Sequence, residues 1–383
     1  MKKIGLLTYY GDNYGACLQA FALQTVIKRM NYDVEIIEYR VSSAKVKLID
    51  RLLNLRNPVK IIKGRIANRK NRLNYAKRHD CFEKFRNEYL NIVKNDCRQY
   101  VDFYSNPPLY DGYVCGSDQI WNPYFTNGCD PVRFLDFVPS RRRRIAYAPS
   151  IGVDKIDGNY AADMKKYLSK MDNISVREKD GAIIIKSLIG EDVPVVLDPT
   201  LLLTKEDWCS LINKKRIDTP YIFCYFFGNL DYMDQLKEFY RNHTGLPIVT
   251  FPFNYREIQD EKDIKIFDAG PIDFVNLIKN ASLVLTDSFH ATAFSINMEV
   301  PFYSLLRDLN KCETNMNSRI YTILNKMELE TRLIIPEAKM KFPSENIFNV
   351  NFSKTRGILE KERILSGQYL FLALDSIKNE ADM

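Results

Sequence analysis

The sequence has 383 residues, of which 46% are hydrophobic and 27% are charged, and its formal net charge is +7. These values are typical of a globular chain, and the length suits two domains better than one core. The chain contains no run of about 18 apolar residues, and its first residues are typical of a strand and not of a signal peptide. The eight cysteines are scattered, without a CxxC pair or a metal-ligand spacing. We therefore expect a cytoplasmic protein with reduced thiols, no metal ion and no cofactor.

The positive charge is concentrated between Arg40 and Arg78, where thirteen Lys or Arg residues accompany a single acid, Asp50. Apolar residues are interleaved with these charges at roughly helical spacing. Such a segment is typical of a peripheral contact with an anionic surface, here the inner face of a membrane through residues 40–78. A solvated helical insertion explains the same pattern equally well. Nucleic acid is the weaker interpretation, because no recognised nucleic-acid motif accompanies the charges, and we expect no such partner.

The start of the chain has the pattern of a βαβ unit. A strand, a turn, a helix and a second strand are predicted at 3–9, 11–15, 16–30 and 33–39. The turn contains Asn13 and Gly15 and lies at the carboxyl end of the first strand, where α/β folds place their ligands. Its spacing is not GxGxxG, so we infer no dinucleotide.

Three further predicted strands also end in polar residues. The first is followed by Gly116-Ser117-Asp118-Gln119-Ile120-Trp121, where Asp118 either closes an Asx turn or takes part in chemistry. Later strands lead to Arg177 and to Asp198-Pro199-Thr200, and we assign Asp198 a structural role in its turn. A strand is also predicted at 134–138.

A buried strand at 282–285 leads into a helix at 288–298, with Thr286, Asp287 and Ser288 as capping residues. His290 falls in the first turn, where unpaired backbone N–H groups and the helix dipole favour an anion. The dipole disfavours an imidazolium, so His290 is expected to be neutral unless an anion binds beside it. The alternative is an ordinary capped helix with a polar first turn.

The alternation of strands and helices predicts an α/β protein with two doubly wound domains. The first spans 1–205 and contains the basic helical insertion at 40–100, and the second spans 206–345. Residues 346–383 contain a final long helix, which we expect to cross back to the first domain.

The order of the motifs in the chain is more specific than any one of them. With Gly116-Ser117-Asp118-Gln119-Ile120-Trp121, Ser175-Val176-Arg177-Glu178, Asp198-Pro199-Thr200, Thr286-Asp287-Ser288-Phe289-His290 and Asn317-Ser318-Arg319, the chain resembles the polysaccharide pyruvyl transferase family over most of its length. The resemblance implies two Rossmann-like domains facing across a cleft, as in GT-B glycosyltransferases. It also implies transfer of pyruvyl from phosphoenolpyruvate to two sugar hydroxyls, giving a cyclic ketal and phosphate, in capsular, exopolysaccharide or other cell-surface glycan synthesis.

The resemblance also implies roles for single residues. The family's arginine falls on Arg177, as a ligand of the anionic donor, and its histidine falls on His290, as the general acid. Asp118 is the candidate to accept the proton of the attacking hydroxyl. The remaining candidates are Ser288, Arg319, Asn13 and Gly15 for the donor and Gln119 and Trp121 for the acceptor, which is a sugar or a lipid-linked oligosaccharide.

Two positions depart from the family pattern. Members commonly have an arginine where this chain has Ser288, and many have an acid where it has Ala16. Without the cation at 288, either Arg319 or another base substitutes for it, or the donor differs. Two other functions therefore stay open: a GT-B glycosyltransferase that uses a nucleotide sugar, and a non-catalytic binding protein of a polysaccharide assembly complex.

Overall fold

A computed structural model of the protein describes residues 1–39, 58–94, 101–126, 128–228, 231–252, 257–258, 260–306, 317–335 and 342–377, with the backbone alone for 58–72. This part of the chain forms two parallel sheets of six strands each. The first sheet consists of β1 (Lys3–Leu7), β2 (Asp33–Ile37), β3 (Ile92–Val93), β4 (Gly112–Cys115), β5 (Arg143–Ala146) and β6 (Asn173–Ile174). The second consists of β7 (Ile222–Tyr225), β8 (Ile248–Thr250), β9 (Ile264–Lys265), β10 (Leu283–Thr286), β11 (Phe302–Leu305) and β12 (Leu333–Ile334).

Both sheets have the same strand order. The first runs β3-β2-β1-β4-β5-β6 and the second β12-β11-β10-β7-β8-β9, and the strand pairs are parallel. In each sheet the first strand therefore lies beside the fourth, and the direction of winding reverses between them. This is the Rossmann order, which leaves a ligand-binding crevice at the reversal. The predicted fold class is confirmed.

The helices flank the two sheets. They are α1 (Tyr14–Arg29), α2 (Pro58–Tyr89), α3 (Asp102–Ser105), α4 (Pro123–Thr126), α5 (Gly158–Leu168), α6 (Lys179–Ile189), α7 (Pro199–Leu202), α8 (Lys205–Cys209), α9 (Asp231–Thr244), α10 (Pro271–Lys279), α11 (Phe289–Met298), α12 (Ser318–Met327) and α13 (Ser353–Asp375). The described helices include none with the length and apolar character that a membrane crossing requires. The basic segment predicted to contact a membrane, 40–78, lies outside the described residues at 40–57 and is described in backbone alone at 58–72.

The predicted strand at 134–138 is wrong. Pro131–Phe134 form a 3-10 turn, and Leu135 follows in the left-handed region with φ of 57°. Asp130 caps the turn, because its side chain accepts a hydrogen bond from the backbone N–H of Val132, and Pro131 has the φ that a first helical position needs. A local cap therefore overrides the apolar pattern of this segment.

The last helix lies against the first sheet. The Tyr369 hydroxyl donates to the carbonyl of Ala146 at the end of β5, at 3.1 Å. The backbone N–H of Leu197 donates to Ser366 Oγ at 3.0 Å. Ile377, which follows the helix, lies over Gly112 of β4, where an added Cβ would be 2.3 Å from its Cδ1 atom.

An aromatic cluster joins the two domains beside the turn that follows β1. Tyr14, the first residue of α1, stacks on Phe274 with ring centroids 5.1 Å apart and planes at 8°. It also contacts Phe251 at a centroid distance of 4.9 Å, and its hydroxyl donates to the carbonyl of Ala269 at 3.1 Å. Tyr14 is 1% exposed, so most of its stabilising effect is expected to come from ring burial.

We predict that Tyr14→Ala lowers the free energy of unfolding by about 3–5 kcal/mol, as for other large aromatic truncations in a core. Tyr14→Phe keeps the ring and loses one hydrogen bond, so it should cost about 1 kcal/mol. Denaturant unfolding of the three proteins measures both values. Equal losses in the two variants would show that the hydroxyl, and not the ring, joins the domains.

Candidate active site

A cavity of about 530 Å³ lies between the carboxyl ends of the two sheets. Its lining comes mainly from the segments that follow β1, β4, β7 and β10, the four strands that flank the two reversals of strand order. Ligands of doubly wound sheets bind at this position. The lining residues are Tyr9, Gly11, Asp12, Asn13, Ala16, Asp118, Gln119, Phe125, Arg133, Phe227, Ser288, Phe289, His290 and Arg319.

His290 is fixed in the lining by its own helix and by the other domain. Ser288 caps α11 by accepting a hydrogen bond from the N–H of Ala291, and His290 is the second residue of that helix. Its ring lies against Gly15, where an added Cβ would be 2.0 Å from Nδ1, so only glycine fits. Nε2 is buried without a hydrogen-bond partner in the described residues and lies 3.7 Å from Asp198 Oδ2.

Arg177 and His290 both lie beside the carboxylate of Asp198. Arg177 Nη1 donates to Asp198 Oδ2 at 2.8 Å, and Nη2 donates to Asp118 Oδ1 at 3.3 Å. The guanidinium lies 4.3 Å from the ring centroid of Phe289. The side chain of Arg177 is 1% exposed and lies outside the cavity lining. Its contact with a donor stays a prediction, and what the structure shows is a positioning role.

Asp198 has more contacts than its turn requires. Its Oδ1 accepts from the N–H and the hydroxyl of Thr200, and the side chain of Asp198 thereby caps α7. Its Oδ2 accepts from Ser117 Oγ at 3.0 Å, in addition to Arg177. The sequence analysis assigned Asp198 a structural role in its turn and missed the contact with His290. The available signal was the position of Asp198 at the end of an apolar run, like Asp118.

The pKa values of His290, Asp198 and Arg177 depend on one another. Burial lowers the pKa of His290, and Asp198 and Asp118 only partly offset that effect. Burial alone would raise the pKa of Asp198, but His290 and Arg177 beside it hold this pKa below its usual value. Burial opposes the charge of Arg177, yet Asp198, Asp118 and Glu178 raise its pKa. The resting site therefore holds a neutral imidazole beside an ion pair, and burial is the main cause of the lowered pKa of His290.

The other predicted site residues fall into two groups. Asp118, Gln119, Asn13, Ser288 and Arg319 line the cavity together with His290. Two predicted residues lie behind the lining: Gly15 supports the ring of His290, and Trp121 belongs to the core. Trp121 is 1% exposed, stacks on Phe134 at 4.9 Å and donates from Nε1 to the carbonyl of Arg133. The structure thus gives Trp121 a place in the core instead of the predicted acceptor contact.

Several lining residues were missed by the sequence analysis. Arg133 comes directly before the segment 134–138 that was predicted as a strand, and Tyr9, Phe125 and Phe227 carry no motif. Asp12 lies in the predicted turn and connects it to α2: it is 2.6 Å from His79 Nδ1 and 2.9 Å from Arg86 Nη1. Within the described ranges, no three His, Cys, Asp or Glu side chains are grouped so that they could hold a metal ion.

A family comparison covers most of this arrangement. Residues 13–308 match the family model described as polysaccharide pyruvyl transferase. The chain belongs to the polysaccharide pyruvyl transferase family. This confirms the resemblance, and the match includes the turns after β4, β7 and β10 that line the cavity of this pyruvyl transferase family member, while it begins at Asn13, the last residue of the turn after β1. No curated protein matches the sequence.

Solved structures share the fold at low sequence identity. An S. aureus MnaA-UDP co-structure has a TM-score of 0.51 and 12% identity over 96% of this chain and 91% of that one. Arabidopsis thaliana UGT89C1 complexed with quercetin has a TM-score of 0.46 and 9% identity, covering 99% of both chains. The UDP-GlcNAc 2-epimerase from Methanocaldococcus jannaschii has a TM-score of 0.44 and 15% identity, covering 95% of this chain and 99% of that one. At these identities the likeness concerns the fold alone.

We predict that Asp198→Asn lowers the pKa of His290 further, because the carboxylate is the largest influence that raises it. NMR titration of the imidazole resonances in both proteins measures the change. His243, on the surface of the second domain, gives the internal reference resonance in both proteins. A pKa of His290 that rises in the variant would contradict the electrostatic contact.

Proposed function

We propose that the chain transfers the pyruvyl group of phosphoenolpyruvate to two hydroxyls of a sugar, as a cyclic ketal, in the synthesis of a cell-surface polysaccharide. The observation that carries the proposal is the environment of His290. A neutral imidazole with an unpartnered Nε2 lies at the amino end of a helix, in a cavity at the reversal points of both sheets. Family membership supports the reaction class.

The charges of the cavity suit an anionic donor. Phosphoenolpyruvate carries a phosphate and a carboxylate, and both need cations or helix amino termini. Arg133 and Arg319 line the cavity, and α11 begins there with ten residues and no acid in its first turn. The two lining acids are already paired, Asp118 with Arg177 and Asp12 with Arg86. The arginines of the lining and the start of α11 therefore suit an anionic ligand.

The reaction needs one proton donor and one proton acceptor. The methylene carbon of the donor gains a proton and becomes a methyl group, while its central carbon forms bonds to two sugar oxygens. The bond from that carbon to the phosphate oxygen breaks. Of the two hydroxyl protons, one replaces the proton given to the methylene carbon and the other leaves on the phosphate. A bound anion raises the pKa of His290, which can then act as the general acid. Asp118, in the lining, is our candidate to accept a hydroxyl proton.

A nucleotide-sugar donor is the second candidate, since one structure of similar fold contains UDP. The turn after β7 is unfavourable for binding a nucleotide sugar. The backbone N–H groups of Phe227 and Gly228 both donate to Asp287, each at 2.8 Å. A diphosphate bound at that turn would meet a carboxylate where it needs free N–H groups. We therefore prefer phosphoenolpyruvate, with a sugar or lipid-linked acceptor near Gln119, and residues 40–78 as a peripheral membrane contact.

Product analysis tests the proposal. Wild-type protein is incubated with phosphoenolpyruvate and a panel of sugar acceptors that includes galactosides, and in parallel with nucleotide sugars. We expect phosphate release and a ketal product in the first set. Release of nucleoside diphosphate would instead establish the glycosyltransferase, and an inactive protein that binds glycans would establish the non-catalytic alternative.

We predict that His290→Ala folds normally and lowers kcat by about 10²- to 10⁴-fold, the usual range for loss of a general acid. His243→Ala is the matched control, because it removes a histidine that contacts the Ser344 carbonyl on the surface. Phosphate release measures turnover, and thermal unfolding measures folding. Full turnover in His290→Ala would end the assignment of His290 as the acid.

A further inference from the structure

Arg133 lines the cavity without an assigned role. It lies in the 3-10 turn Pro131–Phe134, and its main chain is fixed by the hydrogen bond from Trp121 Nε1 to its carbonyl, at 3.2 Å. Its Nε donates to Asp130 Oδ2 at 3.1 Å, and Asp130 Oδ2 also accepts from the Tyr39 hydroxyl at 2.8 Å. The turn and the base of the side chain are therefore held from three directions.

The guanidinium plane is fixed as well. Its central carbon lies 4.1 Å from the ring centroid of Tyr9 and 5.8 Å from that of Tyr39. Arg133 is 8% exposed, so this stack is largely shielded from solvent, where a cation over an aromatic face is most favourable. A side chain held in this way loses little conformational freedom when it binds a ligand.

Among the residues that the structure describes, the two terminal nitrogens of Arg133 have no acceptor. Among the described residues its hydrogen bonds are confined to Nε, so Nη1 and Nη2 are unpaired in the cavity wall. Arg177 provides the comparison within the same site, since each of its Nη groups donates to a carboxylate. Arg177 thus positions other protein groups, whereas Nη1 and Nη2 of Arg133 are available to a ligand.

The pKa values of Arg133 and Arg177 are shifted in opposite directions. Burial lowers the pKa of Arg133 to about 10, whereas the three carboxylates around Arg177 raise its pKa despite burial. Arg133 is still protonated at neutral pH, and its ion pair with Asp130 occupies Nε alone. An anion at Nη1 and Nη2 would supply the acceptors that these two groups lack among the described residues.

We propose that Arg133 is an anion-binding residue of this cavity, whose two Nη groups bind oxygens of a phosphate or a carboxylate on a substrate. The proposal rests on the proposed function for the identity of that substrate. Two sources supply this chemistry: the three-carbon donor itself, or an acidic group on the acceptor sugar. A planar fork suits two oxygens of one anionic group, which a lysine cannot match.

Direct binding tests the proposal without turnover. Calorimetry measures the affinity of wild type, Arg133→Gln and Arg133→Lys for phosphoenolpyruvate, galacturonate and neutral galactose. Arg216→Gln is the matched control, because it removes a half-exposed arginine that pairs with Asp268 in the second domain. We expect Arg133→Gln to bind one of the anions about 10- to 100-fold more weakly, as for loss of a charge-assisted hydrogen bond, and galactose unchanged. Arg133→Lys should lie in between and shows that folding is retained.

The two anions distinguish the sources. Weaker binding of phosphoenolpyruvate assigns Arg133 to the donor, and weaker binding of galacturonate but not galactose assigns it to an acidic acceptor. Unchanged affinity for both anions, equal loss for galactose, or wild type that binds neither anion overturns the proposal. A wild-type protein that binds phosphoenolpyruvate in an Arg133-dependent way but never releases phosphate would refute the proposed function alone.

Discussion

The site depends on one carboxylate, that of Asp198. Arg177 donates to its Oδ2, Ser117 donates to the same atom, and His290 Nε2 lies 3.7 Å away. Its other oxygen caps α7, so the side chain cannot turn away from these partners without uncapping a helix. A buried carboxylate with so many donors remains ionised, which in turn keeps the guanidinium in place behind Phe289. The environment of His290 follows from this arrangement.

The duplicated topology explains where such a site can form. Each sheet reverses its winding between two central strands, β1 and β4 in the first and β7 and β10 in the second. The four turns that follow these strands end at the same cavity. The first domain contributes most of the acids and Arg133, and the second contributes the capped helix with His290. The residues with proposed roles, Asp118, Arg133 and His290, therefore come from both domains.

The sequence was sufficient for those features that local patterns determine. The strand at 282–285 and the helix at 288–298 were predictable because a short apolar run is followed by capping residues, and both were confirmed as β10 and α11. Arg133 was not predictable in this way, because the Asp130 cap and Pro131 produce a 3-10 turn at Pro131–Phe134, directly before and into the apolar segment predicted as a strand. The contacts of His290 with Gly15 and Asp198 depend on how the two domains meet, which no local pattern encodes.

The contact between His290 and Asp198 joins the two domains at the cavity. His290 belongs to the second domain and Asp198 to the first, so the distance between the two side chains depends on the relative position of the domains. A movement of one domain relative to the other would change this distance and would remove the carboxylate that raises the pKa of His290. The protonation of the imidazole is therefore linked to the relative placement of the two sheets.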